Sequence, residues 1–307
     1  MIDEKFVDLY ARNSGVRDKL LVERDVVLTY ALQALVQDGV MENLAFKGGT
    51  CLRKQVFGSD GRFSEDLDFT VDTTGNVDDT LERLLGVFDR EHFGIRFEVG
   101  DFYKTDEEGS FGGDITYRHA WNQGGRFHLQ VSLRERPTLP VLPKPLEPQS
   151  YFQRLEFRAP EVRRLHVAEI MAEKVRATFQ RVKVRDVYDL HLFARRPFDA
   201  EILRRLVVLK LWQSKDPFDP TRLFAKLRSS DYDWDDVRRL LRTGQAMDPE
   251  TILRSVEERY RGLAALTSLE AAVVADRSGR KEALAENLRT EVRAMAGFEA
   301  DDVSRRP

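Results

Sequence analysis

Residues 62–71 carry the sequence RFSEDLDFTV, in which apolar and polar residues alternate from residue 66 onward. Alternation with a period of two is typical of a strand with one buried face. Asp66 and Asp68 then lie on the same face, with Cβ atoms roughly 7 Å apart. Such carboxylates repel one another unless a cation lies between them, and Mg²⁺ prefers carboxylate oxygens together with phosphate oxygens and water. The segment therefore predicts a metal-binding strand, although Asp-x-Asp pairs also occur often on solvated strands.

A second motif lies upstream, where the short apolar stretch 44–46 runs into the sequence KGGT at residues 47–50. Two glycines after a strand let the backbone bend tightly and approach a ligand closely. A helix predicted for residues 50–57 would direct N–H groups at an anion such as a triphosphate. The spacing is not that of a Walker A loop. A plain strand-to-helix turn explains the same residues, so the motif alone leaves both interpretations open.

The remaining pattern predicts helix, then strands, then helices. The five prolines at residues 137–148 exclude a regular helix or a central strand and predict a surface connector. An α+β catalytic half followed by a mostly helical C-terminal half fits this order. The other predicted elements are a helix at 14–38, an amphipathic segment at 77–93, strands at 95–103, 114–118 and 127–133, and helices at 162–181, 185–195, 200–213 and onward to about 296.

Composition places the chain among ordinary globular proteins, with 42% hydrophobic and 33% charged residues. No run of eighteen apolar residues and no secretory h-region occurs, so we expect neither a transmembrane helix nor export. The single cysteine, Cys51, fits a reducing cytosol, and we expect a cytoplasmic protein. The five histidines show no metal-ligand spacing, which argues against zinc chemistry.

Charge is unevenly distributed along the chain. Residues 60–115 contain sixteen acidic and five basic residues, whereas residues 151–213 contain fourteen basic and eight acidic ones. A segment of one sign is most often a solvated face; the less common interpretation is an acidic metal site that faces a basic surface attracting a polyanion. The basic residues that could neutralise RNA phosphates are Arg154, Arg158, Arg163, Arg164, Arg176, Arg181, Lys183 and Arg185.

Two more candidates lie in the helical half. Lys174 lies on a partly apolar helical stripe, so it either snorkels to water or meets an anion such as a phosphate. In the sequence RDVYDL at 185–190, Asp186 and Asp189 share one face of a helix. We expect one of these two aspartates to be structural and the other to face the active site, and the sequence does not say which.

With these four motifs in their order along the sequence, the chain resembles the AbiEii-type nucleotidyltransferase toxins. These toxins are a branch of the polymerase-β-like superfamily that includes the MenT toxins. The resemblance covers residues 44 to about 193. It implies a polymerase-β-like nucleotidyltransferase core at 1–150, with a mixed sheet flanked by helices. It also implies a mostly helical domain at 151–307 that contributes Lys174 and Asp189 to the site.

The resemblance also assigns roles. The residues that would bind the nucleotide are Lys47, Gly48, Gly49, Thr50 and Lys174. Asp66 and Asp68 would hold Mg²⁺ or Mn²⁺. The catalytic set would be Asp66, Asp68, Lys174 and Asp189, with Asp189, or otherwise Asp186, as base or orienting group. Further candidates are Ser64, Arg185 and Asp186.

The implied function is metal-dependent transfer of a nucleotide from an NTP to an acceptor hydroxyl. The expected acceptor is the 3′ end of tRNA, which would block translation. The expected partners are tRNA and an antitoxin from a neighbouring gene, with no membrane. The alternatives are a small-molecule or protein acceptor, and a nucleotide-binding module without catalysis.

One position departs from the superfamily pattern. The superfamily usually supplies a third carboxylate from a later strand, but the strand predicted at 127–133 has Gln130 at the corresponding place. This weakens the expectation of a fixed two-metal site. The sequence leaves open which NTP and which tRNA are used, and the oligomeric state.

Overall fold

The computed structural model describes residues 2–105, 109–245 and 247–295. The chain divides into two compact units. Unit 1 comprises Met1–Pro137, Val141–Leu165 and Leu240–Gln245, and unit 2 comprises Thr138–Pro140, His166–Arg239 and Ala246–Pro307. We describe each unit separately, and the predicted division at residue 150 stays a prediction.

Unit 1 contains one mixed eight-stranded sheet. Its order is β3-β4-β5-β6-β2-β1-β8-β7, in which β2 pairs with β6, and β1 with β8, in parallel, while the other pairs are antiparallel. The predicted α+β class with a mixed sheet is therefore confirmed. The strands are β1 Leu44–Lys47, β2 Leu67–Val71, β3 Glu91–His92, β4 Ile95–Thr105, β5 Ser110–Arg118, β6 Gly125–Ser132, β7 Leu142–Pro145 and β8 Glu161–Arg164.

Four helices complete the regular structure described for unit 1. They are α1 Glu4–Ser14, α2 Lys19–Gln37, α3 Gly48–Leu52 and α4 Val77–Val87. Helix α2 is buried on almost every side, which explains why its apolar residues occupy more than one stripe. Alternate residues of β2, including Leu67 and Phe69, are fully buried and form the core face of the sheet.

Two predicted elements are wrong at their beginnings. The helix predicted at 14–38 begins only at Lys19, because Asp18 caps it by accepting from the N–H groups of Leu20 and Leu21. The helix predicted at 162–181 is preceded by strand β8, and helix α5 spans Val167–Gln180. The sequence EVRR of β8 is short and charged, which hides a strand that pairs with only four residues of β7.

The proline-rich segment also contains more structure than expected. Strand β7, at the edge of the sheet, contains Pro143 and Pro145. An edge strand tolerates proline because the missing N–H faces away from the ladder. The exclusion of a central strand is therefore correct, but the segment is more than a surface connector.

All the regular elements described for unit 2 are helices, which confirms the predicted helical C-terminal region. Four of them begin after an aspartate whose carboxylate accepts from backbone N–H groups, namely Asp199, Asp219, Asp233 and Asp248. No helix in the described part of the chain is long and apolar enough to cross a membrane. Besides α5, the helices are α6 Val184–Ala194, α7 Ala200–Gln213, α8 Pro220–Ser229, α9 Trp234–Arg238, α10 Pro249–Tyr260, α11 Ser268–Ala275 and α12 Glu282–Met295.

A buried ion pair fastens the turn after α3 to helix α2. The Lys54 ammonium donates to the Asp25 carboxylate at 3.0 Å, to the Asp25 carbonyl at 2.7 Å and to the Thr29 hydroxyl at 2.9 Å. Tyr10 donates its hydroxyl proton to the second Asp25 oxygen at 3.0 Å. Burial alone would raise the pKa of Asp25, but the charges of Lys54 and Arg53 outweigh it and hold that pKa below its usual range.

We expect Asp25→Ala to lower the free energy of unfolding by about 3–5 kcal/mol, because it leaves the Lys54 charge buried without its carboxylate. Chemical denaturation measures this change. The control is Lys104→Ala, which breaks an exposed pair with Asp78 and should cost less than about 0.5 kcal/mol. Equal losses in the two variants would contradict this account.

Candidate functional site

The glycine motif begins where strand β1 ends, at Lys47. Helix α3 begins directly at Gly48, two residues before the predicted start. Gly48 has a φ of +74°, in the left-handed region that glycine adopts without steric cost. Lys47 pairs with Asp68 of β2, so the turn begins level with the second aspartate of the Asp-x-Asp pair.

The two glycines allow the backbone to touch functional side chains. A Cβ on Gly48 would lie 2.1 Å from an oxygen of the Asp68 carboxylate. A Cβ on Gly49 would lie 2.6 Å from the Arg62 guanidinium and 2.9 Å from the Ser64 hydroxyl oxygen. A side chain at either position would collide with these groups, so both positions require glycine, and we call the pair Gly48 and Gly49 the glycine cradle. That this cradle binds a nucleotide stays a prediction.

The two aspartates lie at the start of strand β2. The strand begins at Leu67, so Asp66 precedes it by one residue, and both carboxylate-bearing residues are half-buried. Burial alternates from Asp66 to Phe69, with Leu67 and Phe69 fully buried, but Thr70, predicted on the polar face, is buried as well. The Thr50 hydroxyl donates a short hydrogen bond to the Asp66 carbonyl, which ties the first turn of α3 to the backbone that carries the aspartates.

Residues 62–66, which lead into β2, are held in place by an ion pair and by a backbone hydrogen bond. Arg24 pairs with Glu65 at 2.6 Å, and the Phe63 N–H donates to the Leu240 carbonyl at 2.9 Å. Arg62 and Ser64 are both buried beside Gly49. Sequence analysis assigned Arg62 no role of its own. What marks this residue is a guanidinium buried beside Gly49, and motif spacing alone does not reveal that burial.

Strand β6 supplies an amide where a third carboxylate would otherwise lie. Gln130 pairs with Asp68 across parallel strands, so the two side chains share a face of the sheet. Gln130 is exposed and donates to the Ser110 hydroxyl at 3.1 Å. This places the departure from the superfamily pattern directly beside Asp68.

The donor set fits a magnesium–nucleotide complex better than an all-protein metal cage. In the described ranges, no group of three or more His, Cys, Asp and Glu residues is arranged to hold a metal ion. Mg²⁺ commonly uses one or two carboxylates and takes its remaining ligands from substrate phosphates and water. Asp66 and Asp68, beside the space that the glycines leave open, satisfy that requirement.

Within unit 2, Lys174 of α5 meets two aspartates of α6. Its ammonium lies 2.9 Å from an Asp186 oxygen and 2.8 Å from an Asp189 oxygen. Arg181 donates to the other Asp186 oxygen at 2.9 Å. The anions that meet Lys174 are thus the protein's own carboxylates, and the helical spacing of Asp186 and Asp189 brings both to one cation.

The two aspartates differ in their surroundings. Burial would raise the pKa of Asp186, but Lys174 and Arg181 outweigh it and hold that pKa well below its usual range. Asp186 therefore has two cationic partners, which is the pattern of a structural aspartate. Arg185, another candidate, makes a two-pronged pair with Asp236 at 2.6 Å and 2.8 Å.

Comparison with models of protein families shows which family the chain belongs to. The family of nucleotidyl transferase AbiEii toxins, type IV toxin–antitoxin system, matches residues 30–301. Because the match extends over most of its length, the chain belongs to this family. The resemblance that the motifs predicted is therefore confirmed.

Two solved structures are similar to this chain. One is the nucleotidyltransferase toxin MenT4 of Mycobacterium tuberculosis H37Rv, with 25% identity, 95% of this chain and 100% of that chain covered, and a TM-score of 0.80. The other is JHP933 of Helicobacter pylori, with 20% identity, 85% and 98% covered, and a TM-score of 0.46, which is too low to support an inference. Comparison with curated protein sequences finds no match.

Family membership establishes the class of enzyme. The chain is a nucleotidyltransferase toxin of a type IV toxin–antitoxin system, so it transfers a nucleotide from an NTP to an acceptor. The predicted enzyme class is confirmed. The family also implies an antitoxin as a partner.

We expect Gly48→Ala to abolish nucleotide transfer, because the new methyl group collides with the Asp68 carboxylate and a φ of +74° strains alanine. The free energy of unfolding of this variant should be lower than that of the wild type by about 1–3 kcal/mol. Gly86→Ala in α4 is the control, because nothing lies within 4 Å of its Cβ position and alanine favours a helix by about 0.5–1 kcal/mol. Transfer by the Gly48 variant at the wild-type rate would refute the cradle.

The ion pairs of Asp186 predict a pH dependence of stability. Because the pKa of Asp186 is lower in the folded than in the unfolded chain, the ionised carboxylate adds stability at neutral pH. That contribution disappears as the pH falls from about 4 toward the folded value. Asp186→Asn should therefore lower the free energy of unfolding by roughly 1–3 kcal/mol at pH 7 and by progressively less below pH 4. Chemical denaturation at each pH measures this difference. Asp235→Asn, at an exposed position, should show no such trend.

Proposed function

We propose that this toxin transfers a nucleotide, with Mg²⁺ or Mn²⁺, from an NTP to the 3′ end of tRNA and so blocks translation. The observation that carries the site assignment is the contact between the Gly48 backbone and the Asp68 carboxylate. It places a backbone turn without side chains beside a carboxylate, which is the arrangement that a metal-bound triphosphate needs. The proposed acceptor makes the cytoplasm the place of action.

The residues of unit 1 bind and orient the nucleotide in this proposal. Gly48 and Gly49 let the phosphates approach backbone N–H groups closely, with Lys47 at the entrance to the turn. Asp66 and Asp68 would hold the divalent cation, which would supply charge neutralisation for the triphosphate. Thr50 fixes the direction of the Asp66 backbone through its hydrogen bond to the carbonyl.

Ser64 and Arg62 support the same turn. Both are buried, and both lie within 3 Å of where a Cβ on Gly49 would be. A buried guanidinium beside the cradle supplies positive charge that favours bound phosphate. The Ser64 hydroxyl lies at the same position and offers a hydrogen bond there.

Lys174 and Asp189 take part in the reaction in this proposal, as the family resemblance implies. Lys174 would stabilise negative charge on the phosphates or contact the incoming nucleophile. Asp189 would act as base or orienting group. Asp186, which pairs with both Lys174 and Arg181, has a positioning role in this proposal, and Asp189 is the catalytic aspartate that the family resemblance implies.

Basic residues support RNA as the acceptor. Contacts between such side chains and phosphates release counterions, so affinity for tRNA should fall steeply with rising salt. Insensitivity to salt, together with transfer to a small molecule or a protein hydroxyl, would instead favour the alternative acceptors. Of the eight basic residues that the sequence suggested, Arg164 is buried and Arg163, Arg176 and Arg185 are half-buried, so a direct contact with RNA is not expected of them. The proposed contact residues are the four exposed ones, Arg154, Arg158, Arg181 and Lys183.

Gln130 makes the number of metal-binding carboxylates a point to test. An amide in place of a third carboxylate leaves one protein anion fewer beside Asp68. Release of pyrophosphate from NTP in the presence of tRNA and Mg²⁺ would show that two aspartates suffice. Binding of NTP without that release would contradict the proposed transfer.

We expect Asp68→Ala to lower metal-dependent transfer by a factor of at least about 100, because the cation loses one of two protein carboxylates. The fold should persist, since Asp68 is half-buried and carries a negative charge beside Asp66. Asp89→Ala, at an exposed turn, is the matched control and should keep wild-type activity. Undiminished activity of the Asp68 variant would exclude Asp68 as a metal ligand.

The acceptor is tested by incubating the protein with Mg²⁺, each labelled NTP and total tRNA. We expect label at the 3′ end of tRNA, lost when Mg²⁺ is chelated. Prior oxidation of the tRNA 3′ terminal ribose removes the acceptor hydroxyls and should abolish labelling. Label that persists after oxidation, or appears only on protein, would overturn the proposed acceptor.

A further inference from the structure

Two aromatic rings lie on the sheet face that carries Asp68, one on β6, the strand of Gln130, and the other on β4. Tyr103 of β4 and His128 of β6 are nearly parallel, with an interplanar angle of 20° and ring centroids 6.4 Å apart. Tyr103 is 42% exposed and the His128 side chain 36% exposed. An exposed pair of aligned rings offers π surface for stacking.

A glycine lets Tyr103 lie across strand β5. Tyr103 pairs with Gly112, which in turn pairs with Gln130, so these residues form one row across the sheet with Asp68. A Cβ on Gly112 would lie 3.0 Å from the Tyr103 hydroxyl oxygen and 3.3 Å from its ring. The ring therefore lies over the glycine and extends toward β6 and the aspartate row.

The irregularity in β4 positions this ring. The register between β4 and β5 shifts between Val99 and Phe102, and bulges of this kind redirect side chains. After the shift, Phe102 pairs with Gly113 and Tyr103 with Gly112, so successive aromatic residues cover two successive glycines on opposite faces. Tyr103 thereby lies on the face that carries Asp68.

The carboxylate of Asp114 contacts the imidazole of His128. The His128 Nδ1 lies 3.0 Å from an Asp114 oxygen, and Asp114 is directly opposite His128 in the β5–β6 ladder. This contact fixes the rotation of the imidazole and leaves its faces available. Neither Tyr103 nor His128 has a role in nucleotide binding as proposed above.

In-line transfer dictates which side of the aspartates the acceptor occupies. The attacking oxygen and the leaving pyrophosphate lie on opposite sides of the α-phosphate. The glycine cradle follows β1, on one side of β2, and this cradle holds the outgoing phosphates in the proposed function. The acceptor therefore approaches over the other side, along β6, β5 and β4, where Tyr103 and His128 lie.

We propose that the Tyr103–His128 pair is the platform on which the 3′-terminal base of the RNA acceptor stacks during transfer. This inference rests on the proposed function, because it needs an RNA acceptor and a triphosphate held at the glycine cradle. Stacking on aromatic side chains is how proteins commonly hold unpaired RNA bases. The adjacent strands of a sheet are ~4.8 Å apart, so the platform begins within one nucleotide of Asp68.

A binding measurement tests the platform without requiring catalysis. The probe is a short single-stranded RNA with 2-aminopurine as its 3′-terminal base, whose fluorescence is quenched on stacking. We expect quenching with wild-type protein, the same quenching with Tyr103→Phe, which keeps the ring, and much weaker quenching with Tyr103→Ala and His128→Ala. Equal quenching in all four proteins, or none with wild type, would overturn the platform.

Steady-state transfer separates the platform from the nucleotide site. Tyr103→Ala should raise the KM for tRNA roughly tenfold, as expected for one lost stacking contact, with an unchanged KM for NTP. Tyr103→Phe should behave like wild type in both. A raised KM for NTP alone would mean that the rings hold the base of the nucleotide and would overturn the proposal.

The outcomes also distinguish this inference from the function on which it rests. If wild type shows no transfer to any RNA, the proposed acceptor fails whatever the variants do. If wild type labels tRNA and the ring-deleted variants keep the wild-type KM for tRNA and the wild-type quenching, only the platform fails.

Discussion

The site of unit 1 depends on one close contact, between the backbone of Gly48 and the carboxylate of Asp68. Gly48 cannot gain a side chain without displacing Asp68, because the space between them is smaller than a methyl group. The contact lies where β1 ends and α3 begins, and the proposed phosphate site is built around it. The pairing of Lys47 with Asp68 and the hydrogen bond from Thr50 to the Asp66 carbonyl hold it in register.

Buried charges hold each unit's helices in place. In unit 1, Lys54 and Asp25 join the chain after α3 to α2. In unit 2, Lys174 joins α5 to α6 through two aspartates. Such pairs add little net stability compared with apolar packing, but breaking one partner is costly, so each fixes one arrangement.

The sequence predicted the parts of the site whose signal is local. The Asp-x-Asp alternation and the two glycines are adjacent in the chain, and the structure places them as neighbours on β1 and β2. It missed β8 and the Tyr103–His128 pair, because both depend on strand pairing between distant residues, and it missed Arg62 because its burial beside Gly49 is visible only in the folded chain. The start of α2 was predicted four residues before Asp18, which is the N-cap of the helix. The roles of Asp66, Asp68, Lys174 and Asp189 stay predictions.

The presence of Gln130 instead of a carboxylate has a thermodynamic consequence for the binding of cation and nucleotide. In the proposed site Asp66 and Asp68 are the carboxylates that would hold a divalent cation, and no third metal-binding residue joins them among the residues that the structure describes. The remaining oxygens would then come from the nucleotide and water. Cation and nucleotide then raise each other's affinity by the same factor, since linkage between two ligands is reciprocal. Cellular levels of the cation–nucleotide complex, rather than of the free ion, would govern how often the toxin is loaded.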